Sequence, residues 1–255
     1  MAIKYSTALR NFLQGFGSKK QALTGGVFRI YSGSAPTSAD SAVTGDLLVQ
    51  VTLGGAGWTS EVLSSGTVTL TGGASGSVDT ITVNSVSILP AAVSYNTSLT
   101  QTATDVVTAI NKGISSPRYM ASSSGAVITI KAMPGTGIGP NTYEVASTVT
   151  TITKTDVNLS GGVAQVNGLT YDNAPLGVLT KTGTWSGTVL VTGTAGYFVM
   201  TGSRVDGAGS DSSPWNLIRL MGTCGTSGAD YNMATTSLTL GATHTIDTWI
   251  ETLSE

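Results

Sequence analysis

At 255 residues the chain has room for one large β domain or two of ordinary size, and its 40% hydrophobic content excludes a disordered protein. Charged residues make up only 10%, against roughly 25% in a typical soluble domain, and the net charge is −2, which leaves an exterior of Thr, Ser, Gly and Asn of the kind that neighbours cover in an assembly. No basic run exceeds Lys19-Lys20, no apolar stretch of about 18 residues is present, and Met1-Ala2-Ile3-Lys4-Tyr5 lacks the apolar core of a secretory signal; the expectation is a protein made in a cytoplasm, with neither nucleic acid nor membrane as partner.

In chain order, Tyr5, Ala8, Leu9, Phe12, Leu13 and Phe16 recur at the spacing that lines one face of a helix, with Ser6 or Thr7 to cap its start and Gly15 and Gly17 to end it. Strand-like segments follow at Val27–Tyr31 and Leu47–Leu53, punctuated by Gly, Ser, Pro and Asn. Between 64 and 163 the composition turns to Thr, Ser and Val and aromatic residues become scarce. Thr67–Leu70, Asp79–Val83 and Val86–Ile88 read as strands; Leu99, Ala103, Val106, Val107 and Ile110 form a second helical stripe stopped at Gly113; Ala126–Ala132 and Tyr143–Ile152 read as strands again. Later candidates are Val189–Val191, Tyr197–Met200, Leu217–Met221, Leu238–Leu240 and His244–Ile250. Aromatic residues lie on both sides of the 64–163 segment: Trp58 before it, then Trp185, Tyr197, Phe198, Trp215 and Trp249. The expected fold is therefore mainly β. A β-sandwich or jelly-roll-like core from 1–63 and 164–255 carries the N-terminal helix, and a small α+β (ββαββ) domain, 64–163, is inserted into one of its loops.

The residues that carry chemistry are few. The single histidine, His244, has no Gly-x-Ser-x-Gly elbow to accompany it and reads as a half-buried strand residue. Cys224 has neither a second cysteine nor a basic neighbour to activate it. Asp206-Gly-Ala-Gly-Ser-Asp211 spaces carboxylates as a calcium loop would but lacks the closing Glu of an EF-hand. Gly135-Thr-Gly-Ile-Gly-Pro140 lacks the Gly-Lys-Ser/Thr of a phosphate loop. Of the four Glu, Glu61, Glu144, Glu251 and Glu255, the last two sit at an end expected to be exposed. The expectation is no enzyme: no catalytic residue, no cofactor-binding residue and no metal ligand. Leu9, Phe12, Leu13 and Phe16 are the candidate interaction residues, either covering the core or reaching as an arm onto a neighbour. With few charges and no disulfide, self-association as a trimer or ring is expected to cover exposed edges and apolar patches.

Three passages carry a resemblance. Ile30-Tyr-Ser-Gly-Ser-Ala-Pro-Thr-Ser-Ala-Asp40, followed by Gly45-Asp-Leu-Leu48, resembles an opening of tailed-bacteriophage virion structural proteins. Val78-Asp-Thr-Ile-Thr-Val-Asn84 with Ala103-Thr-Asp-Val-Val-Thr-Ala-Ile-Asn111 is similar to a small domain of phage tail, neck and head accessory proteins. Gly193-Thr-Ala-Gly-Tyr-Phe198, with Gly222 and Thr245-Ile-Asp-Thr-Trp249, is the third. The resemblance implies a virion component without transferable active-site residues, most simply a capsid decoration protein clamping neighbouring subunits. Its partners would be copies of itself and major capsid or neck and tail proteins. A neck, collar or tail accessory protein is the alternative. From another class, a carbohydrate-binding adhesin would present Trp185, Trp215 or Trp249 on one face.

Overall fold

The computed structural model describes residues 3–113, 115–173, 177–211 and 217–252. Among these the chain is mainly β, with several antiparallel sheets, and it divides into two compact units: Met1–Glu61 with Gln165–Glu255, and Val62–Ala164. Trp215 and Glu255 lie outside the described residues.

The first unit opens with β1 (Lys4–Tyr5), α1 (Thr7–Gly15), α2 (Lys19–Leu23), β2 (Phe28–Ser32) and β3 (Leu47–Leu53). The start of α1 is held twice: Ser6 Oγ accepts from Leu9 N–H at 3.2 Å, and the Asp40 carboxylate accepts from Thr7 N–H at 2.7 Å. Both bonds satisfy donors that a helix leaves open at its first turn. Ala8, Leu9 and Phe12 on its apolar stripe are buried.

The second unit contains β4 (Ser65–Gly72), β5 (Ser77–Val83), β6 (Val86–Ser87), β7 (Val93–Ser94), α3 (Leu99–Lys112), β8 (Tyr119–Ser124), β9 (Val127–Ala132), β10 (Val145–Thr150) and β11 (Thr153–Ser160). One sheet runs β11-β4-β9-β8; the other runs β10-β5-β6, with β7 on β5. Val68 and Leu70 from β4, Ile128 and Ile130 from β9, Ile81 and Val83 from β5 and Ala103, Val106 and Ile110 from α3 meet in one core. Fully burying each large aliphatic side chain contributes about 1.5–3 kcal/mol. Ser98 caps α3 by accepting from Gln101 N–H, and Gly113 N–H closes its end on Ala109 O and Ile110 O. Near that end, Asn111 exchanges two 2.9 Å hydrogen bonds with the backbone of Ala121, tying the helix to β8.

The first unit resumes with β12 (Thr170–Tyr171), β13 (Val178–Thr182), β14 (Trp185–Thr188), β15 (Gly193–Thr201), β16 (Arg219–Gly225), β17 (Tyr231–Asn232), β18 (Ser237–Leu238), β19 (Thr243–Ile246) and β20 (Ile250–Thr252). Its wide sheet runs β1-β16-β15-β2-β3-β14-β19, with β17 on β16 and β18 on β15; β12-β13-β20 form a separate sheet. Tyr197, Phe198, Val199 and Met200 of β15 are all buried, so this central strand is covered on both faces and reads as a continuous apolar run. Phe198 stacks on Phe28 at 4.7 Å, and Trp249 meets both rings edge-on at 5.3 Å. Phe198 also lies opposite Gly222, where a Cβ would come within 2.7 Å of its ring. That close approach is what the glycine permits. The expected strand His244–Ile250 is broken: β19 stops at Ile246, and Trp249 turns into the core while Ile250 is exposed.

Candidate functional site

The four residues expected to make contacts with a partner divide into two pairs. Leu9 and Phe12 are 0% and 3% exposed within their own unit, so these two are core side chains and not free anchors. Leu13 and Phe16 are half-buried, and the Phe16 ring lies 6.3 Å from that of Phe12. Of the four, only the second pair retains surface for a contact.

His244 sits beside Tyr231, with Nε2 and the phenolic oxygen 3.0 Å apart. Cys224 lies across from Tyr231 in the parallel β16–β17 pairing. Burial pulls the His244 imidazole below its ordinary range, partly offset by Asp247, so the ring is neutral at pH 7. Burial, with the Asp230 carboxylate nearby, pushes the Cys224 thiol up to about 12. A thiol in that state is not a nucleophile at neutral pH, because the thiolate is the reactive form.

Three of the candidate carboxylates, Asp206, Glu61 and Glu251, are committed to structural partners. Asp206 receives Arg219 Nε at 2.6 Å and Nη2 at 2.5 Å, and Arg219 also donates to the carbonyls of Ser41 and Gly209. Instead of an open calcium-type loop, this segment holds a buried cation. Glu61 is buried and accepts from Ser203 Oγ at 2.6 Å. Glu251, expected at an exposed end, is 7% exposed and pairs with Lys19 at 2.5 Å while accepting from Trp249 Nε1 at 3.2 Å. Burial pulls Lys19 down, but its bonds to Glu251 and Tyr5 outweigh that and leave it above the ordinary lysine value. Among the described residues no group of three His, Cys, Asp or Glu is placed to hold a metal ion, and no helix is long and apolar enough to cross a membrane.

In the Gly135–Pro140 segment the backbone closes on itself in successive turns: Gly139 N–H bonds Thr136 O, and Asn141 N–H bonds Ile138 O. These donors are therefore not free to cradle a phosphate. Of the tryptophans named for a glycan face, Trp185 and Trp249 are internal, at 0% and 5% exposed, and Trp215 lies outside the described residues.

Two surface features had no signal in the sequence beyond generic turn chemistry. One is a cleft of about 450 Å³ on the first unit, lined by Tyr231, Asn232, Met233, Thr243, His244 and Asp247 among others. The second is a set of exposed aliphatic residues. In the first unit Leu190, Val191 and Leu240 stand 50%, 44% and 64% exposed on two loops tied together by a 2.9 Å bond from Leu240 N–H to Thr192 Oγ1. In the second, Val62 and Val163, paired through their backbones, are 51% and 46% exposed. No family model, no curated protein and no solved structure matches this chain.

Proposed function

We propose that the chain is a structural component of a tailed-phage virion, acting by self-association and by clamping neighbouring subunits, most simply as a capsid decoration protein. One observation carries the reading: aliphatic side chains such as Leu190, Val191 and Leu240 stand exposed together on a chain with only 26 charged side chains, 12 basic and 14 acidic. Neighbouring exposed aliphatics on a charge-poor surface favour a covered surface over a bare one. The commitment of His244, Cys224, Asp206, Glu61 and Glu251 to buried or structural contacts supports a mechanical role over a catalytic one.

On this reading the first unit is a β-sandwich or jelly-roll-like core, and the second is a module inserted at one of its loops. Support comes from how the ends are held. Within the first unit, Thr59 and Val166 exchange backbone bonds of 3.2 and 3.0 Å; within the second, Val62 and Val163 do the same at 3.0 and 2.9 Å. In each unit the two ends lie side by side, as an insertion at a hairpin or loop requires. A place at the neck, collar or tail uses the same surfaces.

A density map of purified particles assembled with this chain tests the reading. Copies at repeated positions on the capsid surface support decoration, a ring at the portal end moves the chain to the neck, and particles that lack it altogether overturn the assignment.

A further inference from the structure

Strand β19 ends the wide sheet of the first unit, pairing with β14 and with no other strand among the described residues. The parity of that pairing follows from its bonds. Val189 N–H donates to Ala242 O at 2.8 Å, in register with the β14–β19 ladder. By the two-residue alternation of an antiparallel ladder, Gly187 with His244 and Trp185 with Ile246 are also hydrogen-bonded pairs. The other edge of β14 gives an independent check: Leu190 N–H to Leu48 O and Gly54 N–H to Thr184 O, both 2.7 Å, direct the even-numbered residues toward β3. The N–H and C=O groups of Thr243 and Thr245 therefore point away from β14.

Both threonines are exposed, and both line the cleft of about 450 Å³ together with Asn232, Met233 and Leu238. Two donors and two acceptors, repeating at the roughly 6.6 Å two-residue spacing of an extended chain, thus open onto a slot beside the sheet. The lining holds one formal charge, Asp247, and no Lys or Arg. We propose that this cleft is a strand-addition site for an extended peptide segment of a partner chain, one that lacks acidic side chains and places a Lys or Arg beside Asp247. The backbone of such a segment satisfies the outward groups of Thr243 and Thr245, and its charge complements the carboxylate. A cleft of about 450 Å³ suits one extended segment, whereas a second copy would bring a whole sheet to the edge. The inference goes beyond the virion assignment and stands apart from where, or whether, the chain sits on a particle.

The test selects displayed random heptapeptides on the immobilised full-length chain and titrates the best binder while amide exchange is followed by NMR. Enriched peptides are expected to be rich in β-branched residues, free of Asp and Glu, and to carry Lys or Arg. On binding, the amides of Thr243 and Thr245 should slow by about tenfold or more, the change expected for about 1.4 kcal/mol of protection, while His244 and Ile246 stay protected throughout. Thr245→Pro removes one outward donor and leaves the bonds to β14 in place, so it should weaken the peptide by about tenfold. If that variant does not fold, Asp247→Asn should abolish the preference for Lys or Arg. No enrichment, peptides indifferent to both substitutions, or enriched peptides rich in acidic residues would overturn the proposal. Protection of Thr243 and Thr245 that rises with protein concentration alone would also overturn it, in favour of a second copy as the occupant.

Discussion

Arg219 and Asp206 form a two-point ion pair whose side chains are 1% and 5% exposed, deep in the first unit. The same guanidinium reaches Ser41 O at 2.8 Å and Gly209 O at 2.9 Å, and the Arg219 backbone N–H donates to Ser6 Oγ at 3.0 Å. One side chain thus gathers two loops beside the strand that receives the N-cap of α1. Removing one partner leaves the other charge buried and alone, which costs about 3–5 kcal/mol. Asp206→Ala should lower stability by that amount in urea unfolding. The double variant Asp206→Ala/Arg219→Met should recover part of the loss, because no unpaired charge then remains. A single variant within about 1 kcal/mol of the parent would mean that the pair is solvated.

The N-terminal helix separates folding from contact. Phe12→Ala should destabilise the first unit by about 3–5 kcal/mol, as truncation of a fully buried ring does. Leu13→Ser with Phe16→Ser, at half-buried positions, should cost less in unfolding while weakening self-association measured by sedimentation. An unchanged association constant in the Leu13/Phe16 variant would exclude this helix from the interface.

Excision of the second unit should leave the first folded. Joining Glu61 to Gln165 through a short Gly/Ser linker spans ends already held close by the Thr59–Val166 backbone bonds. Circular dichroism and a cooperative thermal transition are the measurements, and a wholly unfolded product would mean that both segments depend on one core.

Stability should form a plateau between mildly acid and mildly alkaline pH. His244 titrates lower in the fold than its ordinary 6.5, so its contribution is complete above that value and is lost as pH falls through the folded value. Cys224 rises from 9.0 to about 12 and Tyr231 rises from 10.0, so their contributions are complete below 9 and are lost as pH climbs beyond it. His244→Gln should flatten the acid limb of melting temperature against pH, and Cys224→Ala should trim the alkaline one. Cys224 should also resist alkylation in the native state at pH 8 and react once the protein is unfolded.

What the sequence disclosed follows from which elements are buried on one clear face. The stripe of α3 and the alternation of β4 and β9 are plain, because Val68, Leu70, Ile128 and Ile130 face a core while threonines and Lys131 face outward. The two strands of that sheet missed in the sequence, β8 and β11, are its edges. Tyr-Met-Ala-Ser-Ser-Ser and Thr-Lys-Thr-Asp-Val-Asn-Leu-Ser bury too little to show a period. Leu238–Leu240 and Val189–Val191 misled in the opposite direction, since Leu190, Val191 and Leu240 are aliphatic yet exposed in loops. The cleft was not legible because Tyr231, Asn232, Thr243 and Asp247 form no motif: β17 pairs with β16 and β19 with β14, so these residues meet only in the folded unit.

A protein that works by covering its apolar surface with copies of itself and its neighbours should self-associate whatever the salt concentration. Sedimentation velocity of the purified full-length chain at micromolar concentration, repeated at 0.05 and about 0.5 M salt, tests it most directly, because screening acts on exposed charges and scarcely on buried apolar area. A single closed oligomer, unchanged between the two salt concentrations, is the predicted result. A monomer at every concentration, or an oligomer that dissolves in high salt, would contradict it.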